Sequence, residues 1–107
     1  MYIEEYAEDI KNAWKERGIS FKDTGVSLVN MFTVNKTDGL FAGHAGVLIE
    51  QEDGKYVFIE KQAQFSPYVV TQFNSYEEFK NYFESNYKLY KLMGMKKLFT
   101  MINDELL

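Results

Sequence analysis

The sequence predicts an α+β fold in which an antiparallel β-meander of about four strands packs against an N-terminal helix and a second helix that follows the sheet. Three observations predict it. Apolar residues recur at helical spacing over the first fifteen positions, four short β-branched and aromatic runs follow with turn signals between them, and a capping box then opens an aromatic stripe of helical period.

The first helix spans about Ile3 to Arg17. Ile3, Tyr6, Ala7, Ile10, Ala13 and Trp14 form its apolar side, and Gly18 stands where a left-handed cap belongs. Glu4 and Glu5 near its start and Lys15 and Arg17 at its end complement the helix dipole. Ile19 to Gly25 is irregular and polar. Val26 to Val34 reads as a first strand that ends in the turn-like Asn35-Lys36-Thr37-Asp38-Gly39. The Gly-punctuated stretch from Leu40 to Gly46 leads into a second strand at Val47-Leu48-Ile49. Gln51-Glu52-Asp53-Gly54 is a hairpin turn answered by Tyr56-Val57-Phe58-Ile59. A fourth strand, Tyr68 to Phe73, follows the single proline, Pro67. Ser75-Tyr76-Glu77-Glu78 caps the second helix, whose stripe of Tyr76, Phe79, Tyr82 and Phe83 runs to about Asn86 and is expected to cover the sheet. Lys88 to Met101, with four lysines and no acid, is left as a mixed tail.

The length of 107 residues suits one domain, residues 1–107, with a core covering roughly two thirds of the unfolded surface. Nine Phe, eight Tyr and one Trp supply heavy, rigid core material. The net charge of -4 argues against nucleic acid, which needs a Lys/Arg surplus on one face. Glu4, Glu5, Glu8 and Asp9 are the reverse of a basic signal-peptide start, and no apolar run approaches the roughly 18 residues of a spanning helix, so neither an export signal nor a transmembrane segment is expected in this chain. The absence of cysteine removes disulfides, thiolate metal sites and a cysteine nucleophile, while leaving the compartment open. A zinc site, a Walker loop and a dinucleotide fingerprint all fail on residue inventory, so no metal and no cofactor are expected.

One stretch can carry chemistry. Gly43-His44-Ala45-Gly46 places the single histidine at the mouth of a strand between two glycines. A ring so placed can hold a hydrogen bond on one nitrogen and leave the other for proton transfer, or can simply bond backbone carbonyls. The hairpin register decides its neighbours. With a three-residue loop and Gly54 left-handed, Gly46 faces Glu60 and His44 faces Gln62, and both polar side chains share the face of His44. With a two-residue Asp53-Gly54 turn, His44 faces Ala63 and Glu60 turns away. Glu60 follows the apolar Val57-Phe58-Ile59, so its carboxylate either meets a partner or lies at a fraying strand end. Ser20, Ser27, Ser66 and Ser75 are formal partners for His44, but none stands in a nucleophile-elbow context. Asn35-Lys36-Thr37 has the form of a glycosylation acceptor and reads better as turn chemistry.

Phe21-Lys22-Asp23-Thr24-Gly25, Gly43-His44-Ala45-Gly46-Val47-Leu48, Asp53-Gly54 with Phe58-Ile59-Glu60-Lys61, Pro67-Tyr68 and Asn103-Asp104-Glu105-Leu106-Leu107 occur in an order that resembles a family of uncharacterised Gram-positive bacterial proteins, many of them predicted secreted lipoproteins. The resemblance runs from Phe21 to the C-terminus and covers the C-terminal part of those proteins. It implies a cell-envelope or extracellular setting, in which an unknown protein or a cell-wall peptide would be the partner. More loosely, the His-bearing strand and Gly hairpin are similar to papain-like cell-wall hydrolases of the NlpC/P60 type. That similarity implies His44 as base and Glu60 or Gln62 as its orienting residue, with a cysteine that this chain does not contain. The expectation is therefore a non-catalytic or truncated member of that lipoprotein family, acting in binding or structure. The alternative is part of a cysteine-hydrolase-like (amidase or peptidase) site completed from outside the chain, and a third reading is a cytosolic interaction module, a homodimer or other homo-oligomer that uses the exposed part of its aromatic faces.

Overall fold

The computed structural model describes residues 3–35, 39–61, 64–92 and 98–107. Helix α1 (Ile3–Glu16) is followed by strands β1 (Val26–Asn35), β2 (Gly39–Glu50), β3 (Tyr56–Lys61) and β4 (Tyr68–Phe73), then by helix α2 (Tyr76–Leu92) and strands β5 (Phe99–Ile102) and β6 (Glu105–Leu106). The strands form one antiparallel sheet in the order β4-β3-β2-β1-β5-β6. The first four make the expected meander between an N-terminal helix and a second helix.

Local chemistry sets the helix ends. At the end of α1, Gly18 adopts a φ of 73°. Its N–H donates to the Lys15 carbonyl at 3.1 Å, and the N–H of Ile19 donates to the Trp14 carbonyl at 2.9 Å. This paired closure satisfies carbonyls that the helix leaves open. At the start of α2, Ser75 Oγ accepts the Glu78 N–H at 3.2 Å, while Glu78 Oε2 reaches back to accept the N–H of Asn74 at 2.7 Å.

The two helices lie on opposite faces of the sheet. Because strand side chains alternate, Val29 and Met31 of β1 point to one face and Phe32 to the other. On the first face, Val29, Met31, Leu48, Phe58 and Phe73 pack with Phe79 and Phe83 of α2. On the second, Phe32, Phe99 and Met101 pack with Ala7 and Ile10 of α1, and Trp14 and Leu40 close the cluster. Phe58 stands at the centre of the α2 layer, in tilted and edge contact with Phe79 and Phe83 at 5.3 and 5.4 Å between centroids.

Three features depart from the sequence-based expectation. The second strand is 12 residues long and absorbs the Gly-punctuated stretch before Val47. Helix α2 continues to Leu92, because Tyr90 extends the apolar stripe onto the core and no breaker intervenes before Gly94. The mixed tail contains β5, which pairs with the free edge of β1, and β6 beyond it. A four-residue strand shows too little alternation to be read locally, and its place is set by a β1 edge about seventy positions earlier. Most of the turn expected between the first two strands, with its Asn35-Lys36-Thr37 sequence, lies outside the described residues.

One glycine is fixed by packing. A Cβ on Gly46 would collide with the ring of Phe58 and stand 2.8 Å from the carbonyl oxygen of Ile59. Gly46→Ala is expected to destabilise the fold by about 1–3 kcal/mol through overpacking, measured as a lowered midpoint in urea unfolding. Unchanged stability would contradict this packing.

Candidate functional site

The hairpin between β2 and β3 sets the site. The Gln51 N–H donates to the Lys55 carbonyl at 2.8 Å, Gly54 N–H donates to the Gln51 carbonyl at 3.1 Å, and Gly54 has a φ of 82°. This is the three-residue loop, and it places Gly46 opposite Glu60. A one-residue slip would have turned Glu60 to the other face of the sheet.

A β-bulge sets His44. The β1–β2 register shifts between Met31 and Phe32: Met31 pairs with His44 and Phe32 with Ala42, which leaves Gly43 as the extra residue. In an unbroken strand Leu40 and His44 would share a face. The bulge lets Leu40 point into the α1 cluster while His44, beside Met31, points to the α2 side.

There the two side chains meet. His44 Nε2 lies 2.8 Å from Glu60 Oε1, and the Tyr82 hydroxyl donates to Glu60 Oε2 at 2.6 Å. The Glu60 side chain is 2% exposed and that of His44 13%. A buried carboxylate needs donors, and here each oxygen has one, from β2 on one side and α2 on the other. A carboxylate accepts, so in the neutral ring Nε2 carries the proton. Nδ1 then keeps its lone pair, and among the described residues it has no partner. A histidine held in this tautomer by a carboxylate is equipped to accept a proton at Nδ1 from a group brought to its open side.

Of the residues singled out in the sequence, His44 and Glu60 are thus in contact, and Gln62 lies outside the described residues. Sequence pattern alone places Tyr82 only in the apolar stripe of α2. The signal that could have found it is its phenol, since a tyrosine on a buried stripe needs a partner for its hydroxyl. Thr100 is a second polar group on this face. It pairs with Met31, which separates it from His44, and its Oγ1 is buried with no partner among the described residues. The serines do not join the site. Ser75 is spent as the α2 cap, and Ser27 and Ser20 line two separate hollows. The hollow with Ser27 is walled by Asp23, Glu50, Tyr56 and Tyr76. Burial, then Tyr56 and Glu105, raises the Tyr76 phenol above its ordinary value, and burial, then Glu50, does the same for Tyr56. Among the described residues no three His, Asp or Glu side chains gather where they could hold a metal ion, and no helix is long and apolar enough to cross a membrane.

Residues 2–107 match the family described as a domain of unknown function, DUF4300, and the chain belongs to that family. No curated protein and no solved structure shows significant similarity to it. The chain has no cysteine and therefore no cysteine nucleophile of its own.

The cluster makes a prediction about stability. Tyr82→Phe removes one donor from a buried carboxylate and is expected to cost about 1.5–3 kcal/mol in urea unfolding. In the background of Glu60→Leu the same change is expected to cost much less, because the acceptor it serves is gone. Equal costs in the two backgrounds would show that the Tyr82 hydroxyl does not act through Glu60, and no cost in either that Tyr82 contributes only its ring.

Proposed function

We propose that this member of the family is a binding or structural domain of a cell-envelope protein that performs no covalent chemistry by itself. The observation that carries the reading is the Glu60 carboxylate, closed off by two donors from two different elements. It serves as a polar strut between β3, β2 and α2, and it presents the outer edge of the His44 ring to a ligand. The lack of any cysteine, and of a serine hydroxyl on His44 among the described residues, supports a site that binds without reacting. The envelope setting and a cell-wall peptide as ligand rest on the resemblance to Gram-positive lipoproteins, and the hydrogen-bonding capacity of Nδ1 is compatible with a peptide N–H donor.

A second reading is favoured by that same open nitrogen. A histidine oriented through Nε2 by a carboxylate is the base half of a cysteine-hydrolase-like site, with Glu60 as orienting residue, and a thiol supplied from outside this chain would complete it.

Titration of the purified chain with a cell-wall peptide, followed by NMR and by mass spectrometry, separates the readings. Shifts centred on His44 and its neighbours are expected, lost in His44→Ala, with the peptide recovered intact. Cleavage of the peptide by the chain alone, abolished in His44→Ala, would overturn the non-catalytic reading. A peptide that shifts no resonance near His44 would remove this site as its place of binding.

A further inference from the structure

The face of the sheet opposite His44 carries a surface over which no helix packs among the described residues. Among the described residues, helix α1 packs on this face over Phe32, Phe99, Met101 and Leu40. Beside it, two complete rows of side chains cross four strands. One is Leu28, Val47, Ile59 and Val70, and the other is Val26, Ile49, Val57 and Gln72. Seven of these eight residues are apolar and none is charged; Val26, Leu28 and Val70 are exposed at the sides, and Val47, Ile49, Val57 and Ile59 between them are half-buried. Tyr68, 72% exposed, extends the patch at one corner, where Lys61 lies over its ring at 5.8 Å. Four strands at about 4.8 Å spacing with rows about 7 Å apart make a surface about 19 Å across. Scattered exposed apolar residues are ordinary, but an ordered four-strand patch without charge is not.

We propose that this patch is an interface between two copies of the chain, packed sheet on sheet about a two-fold axis. A two-fold contact brings the same patch to both sides, so only a self-complementary surface can make it, and an apolar β-face without charge meets that condition. The charges at its ends fix the direction of the axis. At one end stands Lys61, and at the other the hairpin carries Glu52 and Asp53 with Lys55, a net acidic group. An axis along the strands would set Lys61 against the partner copy's same lysine. An axis across the strands sets it over the partner copy's acidic hairpin, twice by symmetry. The apolar centre alone is smaller than the roughly 800 Å² per partner of a standard interface, and the Tyr68–Lys61 corner and the hairpin must supply the remainder. Because His44 lies on the other face, this inference stands apart from the reading of that site.

Sedimentation velocity from micromolar to millimolar concentration tests it. The wild-type chain is expected to pass from monomer to twice its mass. Leu28→Lys, on a strand three removed from the free edge, is expected to remain a monomer with an unchanged circular dichroism spectrum. Lys61→Glu is expected to weaken the dimer at least tenfold, and its combination with Glu52→Lys and Asp53→Lys to restore it. A wild-type chain that stays monomeric throughout overturns the proposal and leaves the face to a different occupant. A dimer that persists in Leu28→Lys also overturns it and points to pairing through the β4 edge. If Leu28→Lys fails to fold, the charge-reversal pair decides alone: a Lys61→Glu dimer of undiminished strength overturns the proposed geometry.

Discussion

The burial of one carboxylate organises this domain. Glu60 sits in a strand whose same-face neighbour is Phe58 and within a layer dominated by phenylalanine, so it is tolerable there only if both of its oxygens find donors. Those donors come from elements far apart in sequence, the middle of β2, where the structure sets His44 inside a long strand and not at its mouth, and the middle of α2. Satisfying the carboxylate therefore requires the hairpin register, the bulge at Gly43 and the seating of α2 to be right together. A core of phenylalanines can be filled in more than one way with similar energy, whereas a buried charge with two directional partners admits few arrangements. The energetic contribution of such a cluster is modest when intact and large when half-broken.

Gly46 shows how the aromatic packing and the polar cluster depend on each other. It pairs with Glu60 across the hairpin, and it accommodates the Phe58 ring where a side chain would otherwise stand. A larger residue there would displace the ring that supports α2, and with it the helix that carries Tyr82. The Gly-His-Ala-Gly block thus has two separate requirements: a bulge at Gly43 that aims His44, and a bare Cα at Gly46 that admits Phe58. Neither requirement is chemical in the sense of a reaction, yet together they produce an oriented imidazole.

Much of this architecture is legible in the amino-acid sequence, because its signals are local. Gly18 after a helical stripe, Asp53-Gly54 between two β-branched runs and Ser75 three residues before Glu78 each encode a structure that forms within a few residues of itself. What is not legible is set at long range. Strand β5 is four residues in a lysine-rich tail, and only the unpaired edge of β1 gives it a place. The bulge at Gly43 cannot be separated from an ordinary flexible glycine without knowing that Leu40 and His44 must face opposite ways. Of the site, the two candidate hairpin registers left Glu60 either beside His44 or turned from it, and the side chain that completes the carboxylate's coordination, Tyr82, was hidden in a stripe of aromatic residues that all look like core.

The central claim, that Glu60 fixes the tautomer of His44 within the fold, is tested most directly by two-bond proton–nitrogen correlation NMR of the imidazole, at a pH high enough to keep the ring neutral. The account predicts a ring protonated at Nε2 with a bare Nδ1, and loss of that preference in Glu60→Leu. A ring protonated at Nδ1, or one that averages between the two tautomers in the wild-type chain, would contradict it.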